Sequence, residues 1–257
     1  MEPDSLRQKG IPFDIWRTSG TTEHLGGISA TQRLLELCHI VPGQTVLDLG
    51  CGTGYTACLL AQAHQTRVIG VDIHPSSLAE ARQRVVKAGA GSHVHLIQAD
   101  AHHLPYASGA FDLVIAESVL VFCQALQVAT EICRVLRPGG TFGANELTIL
   151  QPPPEELISL LQGTLGIRSF EPSGWHSLLE NAGFVDVLST AHRFRWREQL
   201  ASHIQVDGLR GYLAAMVKGL GNLRLSRTFI NREMLRAARQ FTPLIGYGLY
   251  TARKASS

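Results

Sequence analysis

A carboxylate stands directly before three alternating glycines in the segment that begins at residue 46. The apolar run VLDL at residues 46–49 predicts a short buried strand, with Asp48 near its carboxyl end. The glycines are Gly50, Gly52 and Gly54. A helix is expected over residues 55–64, directly after them. Because glycine adopts positive φ without a steric penalty, such a turn lets backbone amides and a helix N-terminus contact a ligand at the strand ends.

The spacing of the glycines and the charge of Asp48 indicate the class of ligand. A dinucleotide fingerprint has the pattern G-x-G-x-x-G and binds a pyrophosphate, whereas this turn has the pattern G-x-G-x-G. A carboxylate beside two phosphates would be repulsive. The same carboxylate suits a cofactor with an ammonium and a cationic centre, and S-adenosylmethionine has both and no phosphate.

Two further acids follow predicted strands. The segment RVIGVDIHP is a second buried strand that ends at Asp72, where a carboxylate can accept both ribose hydroxyls of an adenosine. The segment VHLIQAD is a third strand that leads to Asp100 and Ala101, and an acid there is placed to bind the adenine amino group. A fourth strand, FDLVIAES, follows the turn PYASGA.

These motifs, in this order, resemble the class I S-adenosylmethionine-dependent methyltransferases of the small-molecule type. The resemblance covers roughly residues 30 to 150 and also includes the segment RVLRPGG at 134–140, read as a helix end followed by a tight turn. It implies an α/β fold with a doubly wound, Rossmann-like, seven-stranded sheet whose last strand is antiparallel. It also implies a set of cofactor contacts. They are Asp48, Gly50, Cys51, Gly52, Gly54, Asp72, Ile73, Asp100, Ala101 and Glu117.

The catalytic candidates follow from the expected chemistry. Methyl transfer from a sulfonium is an in-line displacement that depends on positioning in a dry pocket, and a hydroxyl or ammonium acceptor also needs a base. Glu117 ends the fourth strand and Glu146 the fifth, both at the carboxyl edge, and His24 is a third candidate. In relatives the end of the fourth strand often contacts the methionine portion of the cofactor, so Glu117 is equally a binding residue.

The two ends of the chain are expected to shape the substrate site within a single domain, residues 1–257. Residues 1–30 resemble a lid segment, in which Trp16, Thr18 and His24 either face the site or belong to a surface arm. The segment SGWHSLLENAGF predicts the last core helix, capped by Ser173 or Gly174. Between the last two strands, residues 198–242 form a mostly helical insertion, longer than a hairpin needs, which we expect to cap the substrate.

Composition restricts the partners. The 257 residues are 45% hydrophobic and 17% charged, with no segment typical of a signal peptide or a membrane span, so a cytoplasmic location is expected. The five cysteines form no C-x-x-C pair and the histidines lack metal-ligand spacing, so we expect packing roles and no metal. Residues 190–257 hold 12 Lys and Arg against 3 Asp and Glu. This excess favours either an anionic or lipid-like substrate or a solvated helix face.

Two other functions compete with methyl transfer. A nicotinamide-dependent oxidoreductase shares the acid at the end of the second strand, but Asp48 and the glycine spacing count against it. The second alternative is a catalytically inactive S-adenosylmethionine-binding protein. No fold requires acids at both positions, so the presence of Glu117 and Glu146 counts mildly against it. No accessory RNA-binding domain is evident, so nucleic acid is not an expected partner. The oligomeric state is left open.

Overall fold

A seven-stranded sheet organises the chain, which we describe from a computed structural model that covers residues 24–195 and 239–256. The strand order is β3-β2-β1-β4-β5-β7-β6. The strands are β1 Thr45–Leu49, β2 Arg67–Asp72, β3 Val94–Gln98, β4 Phe111–Glu117, β5 Leu136–Ile149, β6 Phe184–Arg193 and β7 Ile245–Lys254. β1 to β5 are mutually parallel, while β7 is antiparallel to both β5 and β6.

Helices cover both faces of this sheet. They are α1 Gly27–Leu37, α2 Tyr55–His64, α3 Pro75–Lys87, α4 Ala125–Val135, α5 Glu155–Ile158 and α6 Pro172–Asn181. Local sequence sets where several of them begin. Gly54, with φ of 79°, precedes α2 in the left-handed region, and Pro75 opens α3 with the backbone angle that a first helical turn needs.

Two apolar cores separate the layers. One core joins α1, α2 and α3 to one face of the sheet, with Leu34, Leu60 and Val85 among its buried members. The other joins α4 and α6 to the opposite face, with Val128 and Trp175 among its buried members. Since the central strands are covered on both faces, their side chains are apolar almost throughout, except near the carboxyl ends.

The predicted architecture is confirmed: the fold is a doubly wound, Rossmann-like α/β sheet of seven strands with an antiparallel last strand. Two local predictions are wrong. α6 is capped by Glu171 instead of Ser173 or Gly174, because Pro172 occupies its first turn. Residues 136–140 form the irregular start of β5 instead of a separate tight turn, with a register shift between Phe111 and Leu113 in the paired strand.

The predicted lid and cap fall mainly outside the described residues. Of the lid segment at residues 1–30, the structure describes residues 24–30, which lead into α1. Trp16 and Thr18 lie outside the described residues. Of the insertion at residues 198–242, it describes residues 239–242, and residues 239–241 are helical.

Candidate active site

The glycine turn after β1 has the backbone that its sequence predicts. Gly50, Gly52 and Gly54 have φ values of 69°, 51° and 79°. The amide of Gly50 donates to the Val71 carbonyl oxygen at 2.7 Å, which fixes the turn against β2. A Cβ on Gly52 would lie 4.0 Å from its nearest described neighbour, the Gly50 carbonyl oxygen. The turn therefore presents open backbone at Gly52, where a ligand can approach closely.

Four polar side chains cross the sheet beside this turn. They are Asp72 on β2, Asp48 on β1, Glu117 on β4 and Asn145 on β5. Asp48 pairs in register with Gly70 of β2 and with Ile115 of β4. Asp72 and Glu117 each lie two residues further along those two strands. Glu117 in turn pairs with Asn145 of β5. Residues in register, or two apart, share a face of a sheet. The four side chains therefore form a polar row on the face that α1, α2 and α3 cover.

Asp48 is the buried centre of this row. Its exposed fraction is 3%, and its Oδ2 atom has no hydrogen-bond partner among the described residues. Burial raises the pKa of this carboxyl well above its usual range, and the charges of Glu117 and Asp72 raise it further, although the Ala57 amide donates to it and opposes the shift. The site thus holds an excess of buried negative charge that a cation would neutralise.

Asp72 connects the glycine turn to the start of α3. Its Oδ2 accepts from the Gly52 amide at 2.9 Å and its Oδ1 from the His74 amide at 2.8 Å. The side chain of the next residue, Ile73, is 51% exposed. A carboxylate with a further lone pair on each oxygen and an adjacent exposed apolar surface suit the ribose and the base of an adenosine.

Glu117 is held on several sides. Thr31 of α1 donates to its Oε2 at 2.8 Å, and Thr56 of α2 donates to its Oε1 at 2.9 Å. The Asn145 amide also donates to Oε2, at 3.4 Å. His24 Nε2 lies 3.6 Å from Oε1, and the His24 side chain is 20% exposed while that of Glu117 is 1% exposed. Glu117 is therefore a fixed carboxylate with a partly exposed imidazole beside it.

Glu146 lies on the other face of the sheet and is fully buried. Its carboxylate accepts from the backbone amides of Val119, Leu120 and Val121 at 3.0, 2.9 and 3.4 Å. Burial raises its pKa to about 8, despite these three donors. Its carboxylate thus anchors the loop that follows β4 and does not project beside Glu117.

The loop after β3 carries the remaining predicted cofactor residues. Asp100 Oδ1 accepts from the His102 amide at 2.9 Å and lies 2.6 Å from His102 Nδ1. Burial raises the pKa of Asp100, but the bonds from His102 outweigh it, so the net shift is downward. The Gln124 amide approaches His102 Nε2 at 3.3 Å and ties the loop to the start of α4. Ala101 packs against the core in the same loop.

Cys51 has the packing role that the sequence predicts. It is 5% exposed, and burial, followed by the charges of Asp48 and Asp72, raises the pKa of its thiol. This shift disfavours the thiolate, which agrees with a packing role for Cys51. A Cβ on Gly70 of β2 would lie 3.0 Å from its sulfur atom, so the glycine leaves room for the Cys51 side chain.

Comparison with known proteins identifies the family. Residues 47–144 match the family model described as a methyltransferase domain. The chain is 35% identical over 162 residues to the uncharacterized methyltransferase YodH of Bacillus subtilis (strain 168), a match that spans 63% of this chain and 68% of that protein. The chain belongs to the S-adenosylmethionine-dependent methyltransferases.

Two further comparisons extend over nearly the whole chain. The 27-O-demethylrifamycin SV methyltransferase of Amycolatopsis mediterranei (strain S699) is 27% identical over 98% of this chain and 92% of its own length. The phosphoethanolamine N-methyltransferase 2 of Haemonchus contortus, solved with S-adenosyl-L-methionine, shares the fold. Its TM-score is 0.76 at 19% identity, with 97% of this chain and 58% of that chain covered.

The methyltransferase therefore uses S-adenosylmethionine to methylate small-molecule acceptors, and the nicotinamide alternative is set aside. The polar row fits this cofactor. The unpaired Oδ2 of buried Asp48 offers an acceptor for a cationic group, and no phosphate has to be placed beside the carboxylates. Within residues 24–195 and 239–256, the methyltransferase has no helix with the length and apolar character needed to cross a bilayer.

Sequence reasoning missed the residues that hold Glu117. Thr31, Thr56 and Asn145 are all buried. Thr31 lies on the α1 face that also buries Ile28, Leu34 and Leu35, so a polar residue within an apolar stripe was the available signal. The adjacent pair Asn145 and Glu146 in a buried strand was a second one.

Proposed function

We propose that this methyltransferase methylates a hydroxyl group of its acceptor and that His24, oriented by Glu117, takes the proton. The observation that carries the proposal is the 3.6 Å separation between His24 Nε2 and the enclosed carboxylate of Glu117. A neutral hydroxyl is a weak nucleophile, so its methylation gains from a base within reach. The name of the rifamycin relative, which specifies an O-demethyl substrate, supports an oxygen acceptor.

When bound, S-adenosylmethionine supplies the methyl group from its sulfonium. In this proposal the Glu117 carboxylate favours the His24 tautomer with its proton on Nε2, and Nδ1 takes the hydroxyl proton as the oxygen–carbon bond forms and the carbon–sulfur bond breaks. Thr31 and Thr56 fix the carboxylate, so the imidazole has a defined partner. The 3.6 Å between His24 Nε2 and Glu117 Oε1 is longer than a hydrogen bond, and we expect it to shorten when substrate binds, as catalytic contacts commonly do.

We propose that the polar row and the glycine turn bind the cofactor. Asp48 and Glu117 face its cationic methionine portion, and Asp72 accepts the ribose hydroxyls. Ile73, Asp100 and Ala101 surround the adenine. The turn residues are Gly50, Cys51, Gly52 and Gly54. Support comes from the convergence of the three carboxylates and from the open backbone at Gly52. Glu146 positions the loop at 119–121 and is not the base in this proposal.

The acceptor, in this proposal, is an anionic or lipid-like small molecule, and the enzyme acts in the cytoplasm. The basic excess of residues 190–257 supports an anionic acceptor, as does a fold shared with an enzyme named for phosphoethanolamine. The five cysteines are all free thiols, which is typical of a reducing compartment.

The proposal is tested with His24→Gln and Glu117→Gln, with His95→Gln on exposed β3 as the matched control. The assay follows S-adenosylhomocysteine formation with a panel of phenolic and secondary-alcohol acceptors. We expect His24→Gln to lower kcat by about 10²-fold or more, since that is a typical contribution of a positioned base. Its affinity for S-adenosylhomocysteine should be unchanged, and its activity should recover as rising pH ionises the acceptor. Normal turnover by His24→Gln would refute the base assignment.

A further inference from the structure

His102 holds the carboxylate of Asp100 through two donors. The His102 backbone amide donates to Asp100 Oδ1 at 2.9 Å, and His102 Nδ1 lies 2.6 Å from the same oxygen. The side chain of Asp100 is 50% exposed, while that of His102 is 17% exposed. A mostly buried imidazole therefore fixes one oxygen of a half-exposed carboxylate.

The second ring nitrogen identifies the tautomer of His102. The Gln124 backbone amide donates to Nε2 at 3.3 Å. A backbone amide can only donate, so Nε2 carries a lone pair and the proton of the neutral ring is on Nδ1. Nδ1 is therefore the donor to Asp100 Oδ1, and the imidazole binds Asp100 in its ionised form.

The start of α4 fixes the imidazole in turn. Gln124 is the residue that directly precedes this helix. Further along the same loop, the Leu104 amide donates to Oε1 of Glu131, which belongs to α4, at 2.7 Å. Since the loop is bound to α4 at two separate points, the position of His102 is set by the helix as well as by the loop.

The carboxylate of Asp100 follows β3 at the sheet edge where Asp72 ends β2. Gln98, the last residue of β3, pairs in register with Asp72. The Ala99 amide donates to the Asp72 carbonyl oxygen at 3.2 Å, and the Gln98 side chain donates to the Ile73 carbonyl oxygen at 3.1 Å. Asp100 is thus the next residue after a segment bonded to the two residues proposed to contact the ribose and the base.

The other oxygen of Asp100 favours a hydrogen-bond donor. Oδ1 accepts both bonds from His102, whereas Oδ2 has no hydrogen bond within residues 24–195 and 239–256. Burial raises the pKa of Asp100, but the bonds from His102 outweigh it, so the carboxyl is ionised at neutral pH and can only accept. The exocyclic amino group of adenine is a donor, whereas hypoxanthine has a carbonyl oxygen, an acceptor, at that position.

We propose that His102 is a positioning residue that orients the Asp100 carboxylate toward the adenine amino group and so makes the cofactor site selective for adenine over hypoxanthine. The proposal rests on the proposed function, in which Asp100 contacts the adenine. Without the imidazole, the half-exposed carboxylate loses its Nδ1 donor and is free to rotate away from the base.

Titration calorimetry with S-adenosylhomocysteine and S-inosylhomocysteine, which has hypoxanthine in place of adenine, tests this selectivity. Wild type should bind the adenine ligand about tenfold more tightly or better, because only that ligand donates to a charged acceptor. His102→Ala should weaken binding of the adenine ligand about tenfold and leave the hypoxanthine ligand unaffected. His102→Asn should retain most of the preference, since its side-chain amide can replace the Nδ1 donor. His103→Ala removes the exposed neighbouring imidazole and is the matched control, with the wild-type ratio expected.

The ratio of the two affinities separates positioning from a general structural role. A structural role would weaken both ligands equally, so an unchanged ratio in His102→Ala would overturn the proposal. If Asp100→Ala abolishes the preference and His102→Ala keeps it, the positioning role alone is refuted and the adenine assignment of Asp100 stands. Equal affinity of wild type for both ligands would refute the two together. Neither ligand carries a methyl group to transfer, so these outcomes are independent of the base assigned to His24.

Discussion

Replacement of Asp48 by Asn should stabilise the ligand-free methyltransferase and weaken its response to cofactor. The carboxyl is 3% exposed, and its Oδ2 has no partner among the described residues. The Asn side chain keeps an oxygen for the Ala57 amide and replaces Oδ2 with an NH2 group that has the Glu117 and Asp72 carboxylates nearby. Removal of an unsatisfied buried charge is worth about 1–3 kcal/mol. A domain of this size gains about 2–4 °C in Tm per kcal/mol.

The effect of pH has a definite sign. The pKa of Asp48 is raised in the folded protein, so the stability that this group contributes is present below its unfolded pKa of 3.8 and is lost as pH rises through its folded pKa. The Tm advantage of Asp48→Asn over wild type should therefore grow as pH rises from 4 toward neutrality and beyond.

Thermal unfolding with and without S-adenosylhomocysteine, from pH 4 to pH 9, measures both effects. At a ligand concentration 100 times Kd, wild type should gain about 2.7 kcal/mol, and a tenfold loss of affinity in Asp48→Asn would remove about half of that gain. Glu36→Gln, an exposed substitution on α1, is the control for a general effect of charge removal. If Asp48→Asn unfolds at a lower temperature than wild type at pH 8, the inference that buried negative charge is in excess is wrong.

Three other substitutions test separate contacts. Asp72→Ala should weaken cofactor binding by about 1.5–3 kcal/mol in calorimetry, because it removes charge-assisted bonds to the ribose; unchanged affinity would refute the ribose assignment. Glu146→Ala leaves three backbone amides without their carboxylate acceptor, two of them buried, and should cost about 3 kcal/mol in denaturant unfolding, while Glu146→Gln should recover most of it. Lys254→Met removes the ammonium that binds the Arg134 and Leu136 carbonyl oxygens, and should lower Tm by several degrees with cofactor affinity retained.

The sequence was sufficient for the succession of strands and helices along the chain because its signals are local and repeated, whereas the arrangement of the strands in the sheet followed from the family resemblance. Each central strand is a short apolar run followed by glycine, proline or an acid, and Gly54 and Pro75 mark the starts of α2 and α3. Errors occurred where one residue changed a boundary. Pro172 opens α6 and makes Glu171 its cap, and the parallel pairing of Phe111 with Leu136 extended β5 through a segment that reads locally as a turn. Tertiary pairing overrides local turn preference in such places.

The site was predictable only as far as its own side chains identify it. Asp48 and Asp72 stand out because an acid at the end of an apolar strand has a clear local signature. The difference between Glu117 and Glu146 has no such signature, because both end neighbouring strands. The pairing of β4 with β5 distinguishes the two glutamates. Glu117 pairs with Asn145, and Glu146 lies one residue beyond Asn145 on β5. One residue along a strand turns a side chain to the opposite face, so one glutamate lies in the polar row and the other supports a loop.

Glu117 couples the two halves of the site through α1. Its carboxylate belongs to the polar row proposed to bind the cofactor, yet Thr31 of α1 and Asn145, which also holds the Leu25 carbonyl oxygen, are among its donors. The same segment carries His24 and the Gly26 backbone on which Tyr247 packs. A displacement of α1 would therefore move the proposed base, the backbone on which Tyr247 packs and the partners of the cofactor carboxylate together. For that reason the order in which cofactor and acceptor bind should depend on how firmly the segment before α1 is held at Asn145.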